Sequence, residues 1–163
     1  MWSLVRLETT NVDSNSMLTF KPPLKTIINL TSNAGGDWLC LAGKDFQMRD
    51  VVIVYQTAEL LKGKHELFAR QLLDFDMYTT RFHAVVPNQI VAAGRETIKL
   101  FKIKNGCLPG QSVALNNTAR GKFFTKIAFQ GPVEKGSGYT YVASSDGLLY
   151  IVNTAARTID KVI

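Results

Sequence analysis

Residues 39–43 read LCLAG and residues 51–55 read VVIVY. The same pair of apolar segments returns twice, as IVAAG at 90–94 with TIKLF at 97–101, and as YVASS at 141–145 with LLYIV at 148–152. Gly43 and Gly94 end the first segments of the first two pairs and lie 51 residues apart, and Ser144 in the third pair follows Gly94 by 50 residues. Short strands and turns that recur at this period are typical of four-stranded blades, so the sequence predicts an all-β chain with the blades of a β-propeller.

The length of the chain limits how many blades it holds. At 163 residues it accommodates three to four repeats, whereas closed propellers have four to eight blades. We therefore expect a partial propeller with a blade remnant at 1–24 and blades at 25–75, 76–118 and 119–163. The rest of the ring would come from the same protein or from a second chain, and the two open ends would expose apolar faces that favour association.

Two segments are open to more than one interpretation within this scheme. Leucines and Phe68 between residues 57 and 75 form a helical stripe, but Gly63 interrupts it, so we expect a loop followed by an outer strand from Leu67 to Leu73. We also expect an outer strand from Gln111 to Leu115. Short strands at 2–7 and 17–20 and a turn at 131–138 complete the expected pattern.

The chain start and the cysteines bear on the compartment. Met1 to Glu8 has no basic start followed by a long apolar segment, so we expect neither secretion nor a membrane span. Cys40 and Cys107 have no metal-binding spacing, and reduced thiols fit an intracellular protein. We expect the chain in the cytoplasm.

Basic residues exceed acidic ones by 19 to 13, which gives a net charge of +6. Such an excess favours acidic partners such as nucleic acid, anionic lipid or an acidic protein surface. A nucleic-acid-binding module is the alternative function, and it depends on the aromatic residues Phe101, Phe123 and Phe124 beside basic ones. These aromatics fall at strand positions that should face neighbouring blades, which favours a protein-binding function.

No group of residues carries recognisable catalytic chemistry. His65 and His83 have no partners at metal-ligand spacing, and Asp74 and Asp76 have no third oxygen ligand nearby. The segment 135–140 lacks the glycine spacing and terminal Gly-Lys-Ser/Thr of a phosphate-binding loop. We therefore expect a protein that is not an enzyme and that needs no cofactor or metal.

The third strands resemble those of WD-repeat blades, although the Trp-Asp dipeptide is replaced by Tyr55-Gln56, Phe101-Lys102 and Val152-Asn153. Without the Asp, the usual Asp-His-Ser/Thr-Trp hydrogen-bond chain of a blade cannot form. We expect apolar packing between sheets to hold these blades together.

A more specific resemblance covers roughly residues 25–155. Residues 52–63 (VIVYQTAELLKG), 80–83 (TRFH), 91–106 (VAAGRETIKLFKIKNG) and 124–129 (FTKIAF) are similar to the propeller region of the WD-repeat-containing protein ninety family, also called proteome of centriole sixteen. The most distinctive part is the Thr-Ala and Lys-Gly spacing after the third strand, followed by a Gly-x-x-x-Ile-x-Leu-aromatic segment that ends in Asn-Gly.

The resemblance implies a non-enzymatic scaffold with protein partners in a centriole, basal body or cilium, such as tubulin or centriolar and axonemal proteins. Members of this family carry an N-terminal microtubule-binding domain followed by tandem propellers. That domain is not in this sequence, so its tubulin contacts cannot be transferred.

Loops that combine charge with apolar residues are the candidates for partner binding, because blade strands are occupied by packing. The candidate residues are Lys44, Phe46, Arg49, Lys62, Lys64, Lys99, Lys102, Lys104, Arg120 and Lys122.

Overall fold

The computed structural model describes residues 19–130 and 139–163, which form three four-stranded antiparallel sheets. Blade 1 contains β1 (Thr26–Ser32), β2 (Trp38–Lys44), β3 (Asp50–Gln56) and β4 (Ala69–Leu72). Blade 2 contains β5 (Met77–Phe82), β6 (Gln89–Gly94), β7 (Ile98–Lys102) and β8 (Gly110–Ser112). Blade 3 contains β9 (Phe124–Phe129), β10 (Tyr139–Ser144), β11 (Leu149–Asn153) and β12 (Thr158–Val162). The predicted all-β partial propeller is confirmed.

In each sheet the strands pair in chain order, from an innermost first strand to an outermost fourth. The innermost strands link the blades, since β1 contacts β5 and β5 contacts β9. Consecutive antiparallel strands run in opposite directions, so their connections alternate between two ends of the molecule. We call the end with the β2–β3, β4–β5, β6–β7, β8–β9 and β10–β11 connections the upper rim, and the opposite end the lower rim.

Side chains alternate between the two faces of each sheet. We call the face toward the preceding blade the N-side face and the face toward the following blade the C-side face. One apolar cluster joins the C-side face of blade 1, including Cys40, Ala42, Val52 and Val54, to the N-side face of blade 2, including Phe101. The sequence produces this packing because its second strands carry small residues where the next sheet approaches.

A second cluster joins blades 2 and 3 in the same way. Val91, Ala93 and Leu100 of blade 2 pack with Phe124 and Tyr150 of blade 3. The two aromatic rings meet edge to face with centroids 4.9 Å apart, and Tyr150 Oη donates a hydrogen bond of 2.8 Å to the carbonyl of Thr118. A buried hydroxyl is therefore satisfied inside an otherwise apolar interface.

The expectation of two exposed apolar faces is wrong for blade 1. Its N-side face is buried, with Leu41, Val51 and Ile53 at 0% exposure, in one cluster with Phe20, Leu24 and Leu60. The ring of Phe20 also lies edge-on to Tyr55, with centroids 5.2 Å apart. Of the two terminal blade faces, the one on blade 1 is thus already covered within this chain.

A short helix, α1 (Thr57–Leu61), occupies part of the segment that we predicted as a loop. Gly63, the residue that favoured a loop over a helix in the sequence, lies just after the helix and terminates it. Gly63 has a φ of +78° and donates to Leu60, while Lys64 donates to Glu59, which is the hydrogen-bond pattern of a glycine-terminated helix. Burial of Leu60 in the apolar cluster on the N-side face of blade 1 stabilises this short helix.

The outer strands are shorter than expected. β4 begins at Ala69 rather than Leu67, and β8 covers Gly110–Ser112 rather than 111–115. Val113 and Leu115 turn into the cluster between blades 2 and 3 instead of continuing the strand. A 3₁₀ turn follows at Asn116–Ala119. The predicted segments at 2–7 and 131–138, and all but the end of that at 17–20, lie outside the described residues.

Among the residues that the structure describes, no helix has the length and apolar character needed to cross a bilayer.

The repeated glycine at the end of the second strand has a steric cause. A Cβ atom on Gly43 would lie 2.0 Å from the carbonyl oxygen of Thr26, and one on Gly94 would lie 1.9 Å from that of Asp76. Ser144 takes the third position, where the pairing of β10 with β9 shifts register between Ala143 and Ser144. The same shift occurs opposite Gly43, between Ile27 and Asn29, and opposite Gly94, between Met77 and Thr79, so the bulge is a feature of all three blades.

We expect Gly94→Ala to lower the free energy of unfolding by about 3 kcal/mol, the upper part of the range for overpacking, because the new methyl group would meet backbone. Gly35→Ala is the matched control and should change stability little, because its new methyl group would meet only the movable carboxylate of Asp37. Urea unfolding followed by tryptophan fluorescence measures both. If the two substitutions lowered the free energy of unfolding equally, the close approach of the Asp76 carbonyl would not be the reason that position 94 is glycine.

Candidate functional site

The β2–β3 loop on the upper rim is organised around the buried carboxylate of Asp45. Its Oδ1 accepts hydrogen bonds from the backbone N–H groups of Gln47 (2.9 Å) and Arg49 (3.0 Å). Its Oδ2 accepts from Arg49 Nε (3.0 Å) and Nη2 (2.8 Å), and from Arg70 Nη2 on β4 (3.3 Å). One side chain thus fixes the loop backbone and ties the loop to the outer strand.

The environment of Asp45 favours its charged form. Burial by itself would raise the pKa of the carboxyl group, but the hydrogen bonds from Arg49 and Gln47 and the charge of Arg49 outweigh it and hold the pKa below its usual value. Asp45 therefore stays ionised at neutral pH and keeps accepting the hydrogen bonds that hold the loop.

The loop that Asp45 holds in place presents two apolar side chains to solvent at its tip. Phe46 is 63% exposed and Met48 is 52% exposed. Met48 has a φ of +63°, in the left-handed region that a thioether side chain rarely adopts. An apolar tip held in a fixed, strained conformation is already ordered before a partner arrives, which lowers the entropic cost of binding.

Ion pairs surround this tip along the upper rim. Lys44 Nζ lies 2.8 Å from Asp50 Oδ2, and Lys99 Nζ lies 2.7 Å from Asp74 Oδ1. Lys122 pairs with Asp146. These contacts pair three basic candidates of the rim with carboxylates, so the rim is a mixed-charge surface rather than a uniformly positive one.

Between blades 1 and 2 the rim holds an open cleft of about 690 Å³. Its walls include Met48, Arg49, Asp74, Asp76 and Arg95. Asp74 is bound by Lys99, whose hydrogen bond lowers the pKa of the carboxyl, and Asp76 faces Arg95 at 4.0 Å. Within 19–130 and 139–163, no three His, Cys, Asp or Glu side chains are grouped so that they could hold a metal ion.

The lower rim carries a second set of candidates. Lys62 and Lys64 both pair with Glu59, at 2.8 and 2.9 Å. Lys102 and Lys104 of blade 2 are exposed at the same end. The turn after Lys104 lies against blade 1, since a Cβ on Gly106 would sit 3.6 Å from the carbonyl oxygen of Phe68.

The structure therefore divides the predicted site residues between two surfaces. Those of the upper rim are Lys44, Phe46, Arg49, Lys99, Arg120 and Lys122, and those of the lower rim are Lys62, Lys64, Lys102 and Lys104. Lys99 is less accessible than a surface site requires, because its side chain is 18% exposed on the N-side face of blade 2. A single partner the size of one loop could not contact both sets.

Sequence reasoning missed Asp45 and Met48 as contributors to the site. The available signal was an aspartate at the start of a loop, a residue that commonly forms an Asx turn. In such a turn its side chain accepts hydrogen bonds from backbone N–H groups that follow it, here those of Gln47 and Arg49. The charge pattern alone drew attention to Lys44 and Arg49 instead.

The aromatic residues that suggested nucleic-acid stacking are mostly unavailable. Phe101 and Phe124 are buried at 2% and 0% exposure. Phe123 is partly exposed, but its ring packs against Tyr78 and the Arg95 guanidinium.

His83 is buried, and its Nδ1 accepts hydrogen bonds from the backbone N–H groups of Val85 and Val86.

Sheets of this topology, linked through their innermost strands, define the fold as that of a β-propeller segment. The β-propeller domain of Cps50 (Swd1) from Myceliophteria thermophila matches 84% of this chain and 41% of its own with a TM-score of 0.65 at 16% identity. The WD40 propeller domain of Doa1 matches 77% of this chain and 36% of its own, with a TM-score of 0.52 at 15% identity. These two likenesses concern the fold alone.

Among curated proteins, the chain is similar to centriole proteome protein 16 of Chlamydomonas reinhardtii, with 28% identity over 144 residues. It is also similar to WD repeat-containing protein 90 of Mus musculus, with 27% identity over 148 residues. The alignments cover 76% and 88% of this chain but 7% and 8% of those relatives. No protein-family model matches the chain. The resemblance inferred from the sequence is confirmed.

We expect Asp45→Asn to lower the melting temperature at pH 7, because an uncharged amide cannot accept all five hydrogen bonds. The folded-state pKa of Asp45 is lowered, so the carboxylate stabilises the fold above its ordinary pKa of about 3.9 and this contribution is lost as the pH falls below that value. The difference between wild type and variant should therefore be largest at pH 7 and shrink below about pH 4.

Thermal unfolding by circular dichroism between pH 7 and pH 3 measures this difference. Asp160→Asn changes an exposed carboxylate on β12 and should have little effect at either pH. A constant difference across the range would contradict a role for the charge of Asp45.

Proposed function

We propose that this chain is a non-enzymatic scaffold segment that mediates protein–protein interaction in a microtubule-based structure such as a centriole, basal body or cilium. The observation that carries the proposal is its similarity to centriole proteome protein 16 and WD repeat-containing protein 90. Since the chain spans under a tenth of those relatives, the proposal concerns one segment and not the whole of their activity.

The geometry supports binding through loops. The facing sides of adjacent sheets are occupied by packing between blades, while the upper rim presents a pre-ordered apolar tip and the lower rim presents exposed lysines. Scaffold proteins bind through such exposed loops on a rigid frame. Because the two rims lie at opposite ends, we assign two separate contacts: a specific apolar contact to Phe46 and Met48 on the upper rim, and an attraction toward an acidic protein surface to Lys102 and Lys104 on the lower rim.

The electrostatic part of this assignment excludes Lys99. Its ammonium group is already bound by both oxygens of Asp74, at 2.7 and 2.9 Å. A charge reversal there would place two carboxylates against each other and disturb the contact between blades 1 and 2. Lys102 and Lys104 are exposed, so their substitution changes the surface charge without disturbing the packing.

We expect weak binding to microtubules that falls as salt is added, because exposed charges are screened beyond about 10 Å at 0.1 M ionic strength. Lys102→Glu with Lys104→Glu should weaken it further, whereas Lys102→Arg with Lys104→Arg keeps the charge and should leave it unchanged. Co-sedimentation with purified microtubules across a salt series is the measurement. Tight binding that ignores salt and survives the reversal would contradict the electrostatic account, and RNA that outcompetes microtubules would favour a nucleic-acid-binding module.

The apolar tip makes a separate prediction. Phe46→Ser with Met48→Ser should weaken the same co-sedimentation by about fivefold or more at every salt concentration, because truncating an anchoring side chain costs on the order of 1–2 kcal/mol of binding. Leu61→Ser, an exposed aliphatic change at the lower rim, is the matched control. If both variants behave alike, the tip is not a contact site.

A further inference from the structure

Blade 2 buries a histidine at the lower rim, where β5 passes into the loop that leads to β6. His83 is 2% exposed, and its Nδ1 lies 3.2 Å from the backbone nitrogens of both Val85 and Val86. Both of these groups are N–H donors, so Nδ1 has to accept and cannot itself carry a hydrogen. The geometry therefore fixes His83 as a neutral side chain with its hydrogen on Nε2.

The equivalent positions of the other blades show what this turn requires. They are Asn33 in blade 1 and Gln130 in blade 3, whose backbone N–H groups donate to the second strand of the blade as that of His83 does. Asn33 Oδ1 also accepts the backbone N–H of Trp38 at 3.0 Å. A neutral amide can thus close the turn, and of the three blades blade 2 alone places a group there that titrates near neutral pH.

Blade 3 covers the other edge of the His83 ring without supplying a charge. The ring of Phe129 lies with its centroid 4.9 Å from that of His83, and Thr154 Oγ1 lies 3.5 Å from Nε2. Thr154 is itself buried, so the imidazole is enclosed between the two blades. A proton added to this ring would find no water to stabilise it.

The charged side chains of the described elements around His83 are cationic. Arg81 and Lys102 lie on the same face of blade 2, and Arg157 belongs to the turn that carries Thr154. None of them favours a second positive charge. Burial accordingly lowers the pKa of His83 below its ordinary value of 6.5.

The loop that His83 holds also supports the lysine segment of the lower rim. The carbonyl of Asn88, at the far end of this loop, accepts the backbone N–H of Ile103 at 2.8 Å. Ile103 lies between Lys102 and Lys104, the two residues to which we assign attraction toward an acidic surface. Protonated Nδ1 would be a donor facing two other donors, so the loop would have to move away and its hold on Ile103 would weaken.

We propose that His83 is a pH-dependent switch of the lower rim: while neutral it fixes the β5–β6 loop and, through Asn88, the Lys102–Lys104 segment, and protonation releases both. The use of this switch to regulate partner binding rests on the proposed function, whereas the switch itself does not.

Amide hydrogen exchange of the whole chain, followed by NMR, tests the proposal. The measured quantity is the protection of the Val85, Val86 and Ile103 amides relative to an unstructured peptide at the same pH. The folded-state pKa is lowered, so the two hydrogen bonds to Nδ1 are intact at pH 7.5 and are lost as the pH falls below 6.5 and through the lowered pKa. We expect protection to fall at least about fivefold between pH 7.5 and pH 4.5.

Three variants assign the effect to one ring. His83→Asn copies the residue of blade 1, and its Oδ1 takes the place of Nδ1 without titrating, so protection should be the same at both pH values. His83→Phe keeps a ring but removes the acceptor, so Val85 and Val86 should be poorly protected at both. His65→Gln changes the other, exposed histidine and should behave as wild type.

Circular dichroism checks that each variant folds, and His83→Asn decides the proposal if His83→Phe does not. A loss of protection at low pH that is as large in His83→Asn as in wild type would overturn the proposal, and so would a loss that His65→Gln abolishes. Protection of Ile103 that stays constant while that of Val85 and Val86 falls would overturn the link to the lysine segment. These measurements use no microtubules, so their failure is distinguishable from a failure of the proposed function.

Discussion

The packing of one blade against the next is the interaction on which the rest of this structure depends. Small residues such as Ala42 and Ala93 let the sheets approach, and large rings such as Phe101 and Tyr150 fill the space between them. Burial of a large apolar side chain such as Phe101 contributes about 1.5–3 kcal/mol. Since the Trp-Asp dipeptide is replaced by Tyr55-Gln56, Phe101-Lys102 and Val152-Asn153, apolar burial aligns the blades and places every loop at one of two ends.

The charged residues act within that frame and do not create it. The ion pairs of the upper rim join segments that packing has already brought together, as Lys99 of blade 2 and Asp74 after blade 1 illustrate. Exposed pairs of this type contribute little stability each. Their effect is to fix loop positions and to cancel local charge, so the net charge of +6 is not concentrated around the apolar tip.

Asp45 shows how a functional surface can depend on a residue that does not form it. Phe46 and Met48 are the exposed groups, but their positions follow from five hydrogen bonds to one carboxylate. Composition could indicate a charged loop with an aromatic residue. It could not indicate that Arg49 and Arg70 point inward to the same oxygen rather than outward to a partner, because Arg70 lies 25 residues away in sequence.

The sequence alone determined the repeat, the strand pairs and the partial propeller, because alternating apolar residues and the glycines at 43 and 94 are local signals that each blade carries for itself. It could not decide between a loop and a helix at Thr57–Leu61, since that helix depends on Leu60 reaching a buried face of blade 1. Only the tertiary structure showed that the N-side face of blade 1 is covered and that Lys99 is half-buried. These properties arise from contacts between segments far apart in the chain, which no single repeat encodes.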